Sequence, residues 1–489
     1  MTEGSKYELI MRLALERGFF MPSSEIYGDA PAGFWDYGPL GVALKNKFIE
    51  LWRRELVKRD DMLEIDGAQI LSKNVFKASG HLESFVDPIA KCSKCKAIYR
   101  LDKLIEDKTG IHIPERASLE DMKKIIKEHG IKCGRCGGEL TDFSHFNMMF
   151  RIGVGVTELD AYLRPETCQS IFIDFMRIYK TMRRKLPFAI AQVGKSFRNE
   201  ISPRQGLLRM REFYQAEIEV FFNPKKANDF AKADPVLDYK LRLQPIGEDS
   251  VKEISCKDAL DSGLISSKLV AYYLVLIQQF YEKAGISREK IRLRELDEDE
   301  RAFYATEAWD LEVETSLGWI ELVACNNRGE HDLGGHEKLS GQEMTVLDDG
   351  GRILPNVFEL SMGIDRSLYC ILENSLHLVN NRIVLKLPPY LAPIQAAVLP
   401  LLSRDPFTDE AMRIYRSLKH DFDVVYDASG SIGRRYARYD EIGVPIDITI
   451  DHQTLEDKTV TIRFRDSTIQ LRVQENDLRD FLRDHLKIG

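Results

Sequence analysis

Apolar and polar positions alternate on both sides of a loop near the middle of the chain. The stretch 197–219 reads FRNEISPRQGLLRMREFYQAEIE, and its loop contains Pro203 and Gly206. Alternation with a period of two on either side of such a loop predicts an antiparallel hairpin. A helix is predicted over 166–185, followed by a strand over 188–193 that leads into the hairpin.

The same reading predicts the other elements of the chain. Helical spacing over 40–57, directly after a proline, predicts a helix that is either core or a dimer seam. The β-rich stretch 309–323 contains a turn, and 357–372 starts as a strand and becomes a helix. Short strands alternating with helices over 387–489 predict a separate α/β domain. Further predictions are a helix over 5–20, a strand over 62–71, a helix over 119–128, and a helical or α+β inserted subdomain over 223–305.

Composition and charge bear on whether the protein binds nucleic acid, is secreted or spans a membrane. The chain has 489 residues and a net charge of -8, so nucleic-acid binding would depend on local patches and not on overall charge. The N-terminus lacks the layout of a signal peptide. The long uncharged run 387–403 is broken by four prolines and is too short to span a bilayer comfortably. These features predict a soluble cytoplasmic protein without a membrane partner.

The central hairpin carries a cluster of arginines. Arg198, Arg204, Arg209 and Arg211 lie on it or beside it. A guanidinium group matches the oxygens of phosphate and carboxylate, so an anionic ligand is the simplest explanation. Phe213 offers a flat face on which a base could stack. The alternative is a solvated hairpin whose charges have no ligand.

Four of the eight cysteines form two CxxC pairs in a locally basic insert over 91–140. The pairs are Cys92 with Cys95 and Cys133 with Cys136. This spacing suits tetrahedral zinc, and in a cytosolic chain it favours metal over disulfide. The alternatives are two unlinked reduced pairs, or a site that has lost its metal.

Several separated segments together resemble one family. The FRNE…REF hairpin resembles motif 2 of the class II aminoacyl-tRNA synthetases, and the strand and helix of ELSMGIDR resemble motif 3. GFWDYGPLG, YLRPETCQ, MREFYQAEIE, GWIELVACNNRG and GSIGRRYARYDEIG occur in the order typical of the homodimeric glycyl-tRNA synthetases. The resemblance runs from about Gly18 to the C-terminus.

The resemblance implies an α+β fold with an antiparallel sheet, flanking helices and a homodimer formed through motif 1. The implied reaction is the ATP-dependent activation of glycine to glycyl-adenylate, followed by transfer of glycine to the 3′ end of tRNA(Gly). The implied domains are a first catalytic part with motif 1 (1–90), a zinc-ribbon-like insert (91–140), a catalytic part with motif 2 (141–222), a second inserted subdomain (223–305), a catalytic part with motif 3 (306–386) and an anticodon-binding domain (387–489). The zinc insert is read as a structural element or as an acceptor-stem contact, with the structural role preferred.

The resemblance also implies an ATP site with Mg²⁺. Arg198 and Arg366 would be catalytic, with Arg198 on the α-phosphate and Arg366 covering adenine opposite Phe213. Glu200 would accept from the adenine amino group, and Glu321 would place Mg²⁺. The implied ATP-binding set is Arg198, Asn199, Glu200, Leu208, Arg209, Met210, Arg211, Glu212, Phe213, Glu321, Leu322, Gly363, Ile364, Asp365 and Arg366.

An acidic pocket is implied for glycine. Glu166, Glu217 and Glu359 would surround its ammonium group and exclude a larger amino acid. Glu217 and Glu219 share a strand face, and the motif favours Glu217. Arg100 resembles the substrate arginine, with Arg328 a weaker candidate. The implied set is Arg100, Glu166, Phe213, Tyr214, Gln215, Ala216, Glu217, Glu359, Ser361 and Gly363.

Two alternatives remain at this point. One is a class II synthetase for proline, threonine or histidine, against which the three glutamates argue. The other is a non-catalytic relative that binds nucleic acid or a protein partner. Some positions depart from the family pattern, because Cys168 and Ser170 replace smaller residues and no motif 1 proline lies near Ala68.

Overall fold

A computed structural model describes residues 5–114, 117–203, 205–302 and 304–487. Arg204 of the predicted arginine cluster lies outside these residues. The α-helices within them are α1 (Lys6–Arg17), α2 (Pro39–Trp52), α3 (Lys73–Ala78), α4 (His81–Ser84), α5 (Leu101–Thr109), α6 (Leu119–Glu128), α7 (Cys168–Thr181), α8 (Cys256–Asp261), α9 (Lys268–Lys283), α10 (His331–Ser340), α11 (Ile364–Ser375), α12 (Phe407–Leu418), α13 (Ile432–Glu441), α14 (His452–Asp457) and α15 (Leu478–Leu486).

The strands lie between these helices, singly or in succession. They are β1 (Phe20–Pro22), β2 (Trp35–Tyr37), β3 (Leu63–Ile65), β4 (Ile70–Ser72), β5 (Val86–Cys92), β6 (Ile98–Arg100), β7 (Leu140–Asn147), β8 (Arg151–Val154), β9 (Leu159–Leu163), β10 (Phe188–Phe197), β11 (Glu212–Phe222), β12 (Lys240–Gln244), β13 (Lys252–Ser255), β14 (Ile291–Glu295), β15 (Glu307–Thr315), β16 (Gly318–Gly329), β17 (Val346–Asp348), β18 (Gly351–Ile353), β19 (Asn356–Gly363), β20 (Leu376–Val379), β21 (Arg382–Leu385), β22 (Ala396–Pro400), β23 (Val424–Tyr426), β24 (Ile446–Ile450), β25 (Thr459–Phe464) and β26 (Gln470–Gln474).

The largest sheet of the described chain has nine strands. Their order is β13-β12-β14-β15-β16-β19-β11-β10-β3, and the pairs are antiparallel except β12 with β14 and β10 with β3. The predicted hairpin is confirmed as β10 and β11, which pair from Phe188↔Phe221 to Phe197↔Glu212. The predicted mixed α+β fold is therefore confirmed, with this sheet at its centre.

Helices cover both faces of the large sheet. The main hydrophobic core joins α1, α2, α9 and α11 to one face, with Trp52, Trp309 and Tyr281 almost fully buried in it. A second core joins α7 and residues near α10 to the other face through Phe172, Phe221 and other residues. A sheet buried on both faces is rigid, so it can hold side chains at one end in fixed positions.

Residues 223–305, predicted as an inserted helical or α+β subdomain, contribute to the main sheet and its core. Their strands β12, β13 and β14 extend the nine-stranded sheet, and α9 packs into the main core with most of its faces buried. Strand pairing is long-range, so the polar turns around these strands gave no sign of which sheet they join.

The predicted strand over 62–71 is two strands in two sheets. β3 lies at the edge of the large sheet, whereas β4 pairs with β9 in a three-stranded sheet. Gly67 lies between them, and a Cβ there would come within 2.3 Å of the Ser170 side chain. The chain must pass α7 closely at this point, which explains the break.

Two smaller units have their own cores. In the insert, α5 and α6 pack on β5, β6 and β7, and α6 has the predicted bounds. In the C-terminal unit, β22, β23 and β24 are parallel, and β25 and β26 continue the sheet antiparallel. The predicted α/β alternation there is confirmed, although β26 and α14 were not predicted. Of the described helices, none combines the length and the apolar content that a bilayer span needs.

Candidate active site

A cavity of about 370 Å³ opens above the ends of β10, β11, β16 and β19. It brings together most of the predicted site residues, although these come from widely separated parts of the chain. Those that line it are Glu166, Arg198, Glu200, Leu208, Arg209, Met210, Phe213, Tyr214, Gln215, Glu321, Leu322, Glu359, Ser361, Gly363, Asp365 and Arg366.

Arg198 lies at the end of the hairpin and faces this cavity. Its Nε donates to the carbonyl oxygen of Pro165 at 3.0 Å, and its guanidinium carbon lies 5.4 Å from the ring centres of Phe85 and Phe213. In the described part of the chain, no hydrogen bond uses its two Nη atoms. The fork is therefore held by its stem while its outer donors remain available to an anion.

Arg366 and Glu321 form the opposite wall. Nη1 of Arg366 donates to the Glu321 carboxylate at 3.2 Å, and its Nε donates to the carbonyl oxygen of Leu208, also at 3.2 Å. Arg209 forms an ion pair with Glu200 at 2.6 Å. These pairs are partly exposed and so contribute little to stability. They keep two arginines at the mouth of the cavity.

Asp365 anchors the site from beneath. It accepts from the Tyr37 hydroxyl and from the backbone N–H of Tyr214, the latter at 2.5 Å. Burial raises the pKa of Asp365 to about 6, although these donors oppose the rise. The carboxyl thus joins the segment before α2, strand β11 and helix α11, which places Tyr37 in the support of the site.

Three glutamates form an acidic pocket at the inner end of the cavity. Oε1 of Glu166 accepts from Gln169 and Cys168, both at 3.0 Å, and Glu359 accepts from Asn326 at 2.8 Å. Glu217 lies just behind the surface and accepts from Ser361 at 2.6 Å and from Thr167 at 2.5 Å.

The charges of these glutamates differ. Burial opposes ionisation of Glu166, but His81 and Arg328 together lower its pKa well below the usual range. Burial raises the pKa of Glu359 to about 7, although Arg328 opposes that rise. Burial and the charge of Glu166 raise the pKa of Glu217. The pocket therefore presents one firmly ionised carboxylate beside two that hold a proton more readily, and a cationic ligand would favour ionisation of all three.

Arg328 is the buried cation beneath this pocket. It pairs with Asp332 at 2.6 Å and with Glu359 at 2.7 Å, and its guanidinium carbon lies 3.9 Å from the Tyr304 ring centre. Its donors are thus directed to protein carboxylates. The sequence indicated Arg328 only as a weak substrate-binding candidate, and the geometry makes it the group that orients Glu359.

Glu219 shares a face with Glu217 but has different surroundings. It is fully buried, and neither of its carboxylate oxygens has a hydrogen-bond partner among the described residues. Burial and the neighbouring Glu359 raise its pKa well above the usual range. The structure thus separates the two glutamates, because Glu217 contacts the cavity wall through Ser361 and Glu219 does not line the cavity.

Seven predicted residues do not line the cavity. Glu217 lies behind it, Arg211 donates to the carbonyl oxygen of Glu200, and Arg100 pairs with Asp102 at 2.7 Å. Arg100 lines an adjoining cavity of about 820 Å³ that also touches Arg198. Strand alternation directs every second side chain of a contiguous motif away from the ligand. The others outside the cavity are Asn199, Glu212, Ala216 and Ile364.

The sequence analysis also missed residues that line the cavity. Asp310 and Glu300 lie there near Glu321, and burial together with the Glu321 charge raises the pKa of Asp310 well above its usual range. Tyr304 and Asn326 line the inner end. The cross-strand partner of Glu321 is Glu312, whereas Asp310 pairs with Ala324 across a register shift, so strand pairing alone would not have indicated Asp310. Oxygen ligands of this kind, together with phosphate oxygens, suit Mg²⁺.

The four paired cysteines converge in the insert. The Sγ atoms of Cys92 and Cys136 are 3.4 Å apart, and those of Cys95 and Cys133 are 3.5 Å apart. All four sulfurs lie within 4.8 Å of one another. Zn–S bonds of about 2.3 Å in a tetrahedron separate sulfurs by about 3.8 Å, so the set fits zinc.

The two cysteine turns have the same backbone pattern. The N–H of Lys96 donates to Cys92, and the N–H of Gly137 donates to Cys133. A Cβ at Gly138 would come within 2.8 Å of the Cys92 sulfur, so a glycine fits there best. A hydrogen bond from Tyr99 lowers the pKa of Cys133 to about 6, which favours the thiolate that a metal needs.

Known proteins share this arrangement. Residues 156–375 match the family described as "tRNA synthetase class II core domain (G, H, P, S and T)", and residues 395–485 match the "Anticodon binding domain". A crystal structure titled as the RNA-binding domain of threonyl-tRNA synthetase from Cryptosporidium parvum has a TM-score of 0.60 at 18% identity, covering 100% of this chain and 99% of that one. It supports the fold alone. The sheet, the cavity and these matches define a class II aminoacyl-tRNA synthetase.

Similar proteins that are named glycine--tRNA ligases show which family within this class the chain belongs to. The chain is 41% identical to the glycine--tRNA ligase of Thermococcus gammatolerans, over 98% of each chain. It is 42% identical to that of Pyrococcus abyssi over 97% of each, and 38% identical to that of Methanocaldococcus jannaschii over 98% of this chain and 99% of the relative. The chain belongs to the glycine--tRNA ligase family.

Proposed function

We propose that the cavity activates glycine with ATP and that its two ends hold the two substrates. The observation that carries this proposal is the convergence of Arg198, Arg366 and Phe213 at one end with the acidic pocket at the other. The adenine ring stacks between Phe213 and Arg366, and the phosphates reach Arg198 and Arg209. Mg²⁺ held with ATP by Glu321 would neutralise phosphate charge.

In the first step, a carboxylate oxygen of glycine attacks the α-phosphorus of ATP, and pyrophosphate leaves. Arg198 stabilises the negative charge that builds on the α-phosphate, because its free Nη donors are already in place. In the second step, a ribose hydroxyl at the 3′ end of tRNA(Gly) attacks the adenylate carbonyl and AMP leaves. The domain over 395–485 binds the anticodon of the same tRNA.

Glycine is selected through its ammonium group. Glu166 is ionised and lines the cavity, and Glu359 and Ser361 line it beside Glu166. A ligand with a Cβ would displace one of these groups and leave a buried carboxylate unpaired, which costs far more than the methyl group gains.

Amino-acid-dependent pyrophosphate exchange tests this proposal. We expect exchange with glycine, and less than about one hundredth of that rate with alanine, proline, threonine or histidine, because one methyl group alone discriminates by about 10- to 200-fold in a pocket that depends on shape. Exchange with another amino acid and none with glycine would contradict the assignment. Binding of tRNA without any exchange would support a non-catalytic relative.

The insert is proposed to hold one structural Zn²⁺ on Cys92, Cys95, Cys133 and Cys136. The purified protein is expected to contain about one zinc per chain. Cys133→Ser is expected to lose it and to increase hydrogen exchange in α5 and α6, since a structural zinc supplies folding energy to a small unit. Elemental analysis and hydrogen-exchange mass spectrometry measure both effects.

Cys256→Ala is the matched control for the zinc variant, because Cys256 is buried outside the cluster. It should keep its zinc and the protection of the insert. A folded protein without metal, in which α5 and α6 are as protected as in the metal-loaded chain, would disprove the structural role.

A homodimer is also proposed, with α2 and β3 corresponding to motif 1. Apolar side chains are exposed on the adjoining sheet of β4, β8 and β9 and on the turn between β8 and β9, namely Ile70, Val154, Val156 and Leu159. A second copy of the chain would cover such a surface. Sedimentation velocity, which separates one chain of 56.2 kDa from two, tests this. The cytoplasmic location remains a prediction.

A further inference from the structure

Three donors from two separate segments converge on one oxygen of Glu166. The Oε1 atom lies 3.2 Å from His81 Nε2, 3.0 Å from Cys168 Sγ and 3.0 Å from Gln169 Nε2. Within the described residues, no hydrogen bond uses the other oxygen, Oε2. The Glu166 carboxylate nevertheless lines the cavity.

We infer that His81 and Cys168 are positioning residues that fix Glu166 so that its Oε2 binds the glycine ammonium group. This inference depends on the proposed role of Glu166 in glycine binding. A carboxylate with one oxygen held by three donors cannot rotate without breaking them, so the direction of its second oxygen is set before the ligand arrives. Such preorganisation lowers the cost of binding.

The imidazole of His81 is held at both ring nitrogens. Its Nδ1 lies 2.7 Å from the Ser79 hydroxyl oxygen, and its Nε2 faces the Glu166 carboxylate. An ionised carboxylate only accepts, so Nε2 must carry a hydrogen directed at Glu166, while Nδ1 faces the Ser79 hydroxyl, which can either donate or accept. The ring packs edge-on to Phe76 and at a tilt to Phe85, with centres 6.2 Å and 5.7 Å apart, which fixes its plane.

Cys168 and Gln169 are equally constrained. Both are fully buried in the first turn of α7. The side-chain oxygen of Gln169 lies 3.1 Å from His336 Nε2, and its nitrogen lies 3.2 Å from Asp332, so Gln169 is held on both sides. The thiol of Cys168 adds a donor that alanine, a smaller residue, could not supply.

Matched substitutions separate the hydrogen bond from the packing of the ring. His81→Phe keeps a ring against Phe76 and Phe85 but removes both nitrogens, whereas His81→Gln keeps a donor near Nε2. In glycine-dependent pyrophosphate exchange without tRNA, His81→Phe is expected to raise the KM for glycine about tenfold, the effect of one lost hydrogen bond to a charged group. The KM for ATP should stay unchanged, and His81→Gln should recover most of the loss.

Cys168 has a parallel pair of variants. Cys168→Ala is expected to raise the KM for glycine about threefold, which is less than the effect of His81→Phe because a thiol is a weaker donor than an imidazole N–H. Cys168→Ser should raise the KM less than Cys168→Ala, because a hydroxyl still supplies a donor. Exposed His145→Phe serves as the control and should change neither KM. A folded His81→Phe variant with an unaltered KM for glycine would overturn the inference.

Two further variants keep the test decisive. If His81→Phe does not fold, Ser79→Ala removes the hydroxyl that holds Nδ1 of His81 and leaves the ring in place. An unchanged KM for glycine in both Ser79→Ala and Cys168→Ala then overturns the inference. Glu166→Gln tests the proposed role of Glu166 directly: if this variant leaves the KM for glycine unchanged, that role is wrong.

Discussion

Arg198→Ala is expected to reduce glycine-dependent pyrophosphate exchange at least a thousandfold while the protein stays folded. The side chain anchors through one hydrogen bond to Pro165 and stacks near Phe85 and Phe213, so its removal leaves no buried charge unpaired. What is lost is the pair of Nη donors directed at the charge that builds on the α-phosphate. Groups preorganised in this way contribute about 3–4 kcal/mol to the transition state, and a charged donor contributes more.

Steady-state exchange kinetics and circular dichroism check this result. Arg198→Lys is the informative companion, because it keeps the charge but loses the planar fork, and it should recover only a small part of the rate. Arg184→Ala, on the loop after α7 and outside the cavity, is the control and should exchange at the normal rate. If Arg198→Ala is folded and active, the assignment of the hairpin to ATP fails.

The hairpin itself follows from a short-range pattern, and this part was predictable. Residues such as Ile446–Ile450 and Leu119–Glu128 have clear apolar periodicity, and their elements were predicted with these bounds. Motif residues that face the same way, such as Arg198 and Phe213, also meet in the cavity. Local periodicity determines the elements, whereas the place of Arg198 and Phe213 in one site was predicted from the resemblance to motif 2.

Other features depend on contacts between distant segments. The strands over 223–305 join the main sheet through pairings that no local pattern specifies. His81 is one histidine on a four-residue helix, and only the fold brings it to Glu166. Arg100 is an arginine in the expected place whose donors are taken by Asp87 and Asp102. A sequence can therefore predict which residue type lies near a site, but it does not show whether another protein group already pairs with that residue.

The acidic pocket shows how these long-range contacts control chemistry. Glu166, Glu217, Glu219 and Glu359 lie close together, yet the first two and Glu359 have different donors, Glu219 has none among the described residues, and the four differ in their tendency to ionise. The buried cation that balances them is Arg328, which reaches Asp332 and Glu359 directly and lies 3.9 Å from Glu166. The stability of this part of the protein should therefore depend on that one side chain.

Arg328→Met is expected to destabilise the catalytic domain by about 3–5 kcal/mol, because removing one partner of a buried ion pair leaves the other charge uncompensated. Asp332 and Glu359 are both almost fully buried and would have to take up protons or rearrange. Glycine activation should fall as well, because Glu359 loses the group that orients it. Calorimetry of the catalytic-domain transition, together with pyrophosphate exchange, measures both effects.

The exposed pair of Arg352 with Glu343 provides the control for burial. Arg352→Met removes the same kind of charge at the surface and should change stability by less than about 1 kcal/mol.

Adding Asp332→Asn and Glu359→Gln to Arg328→Met removes the uncompensated charges and should restore part of the lost stability. It should not restore glycine activation, because residue 359 is then no longer a carboxylate. If Arg328→Met and Arg352→Met reduce stability equally, the burial of Arg328 does not strengthen its ion pairs. Other groups must then compensate the charges of the buried carboxylates. Recovery of stability without recovery of activity would instead separate the two roles of Arg328, one in holding the fold and one in orienting the carboxylate that glycine meets.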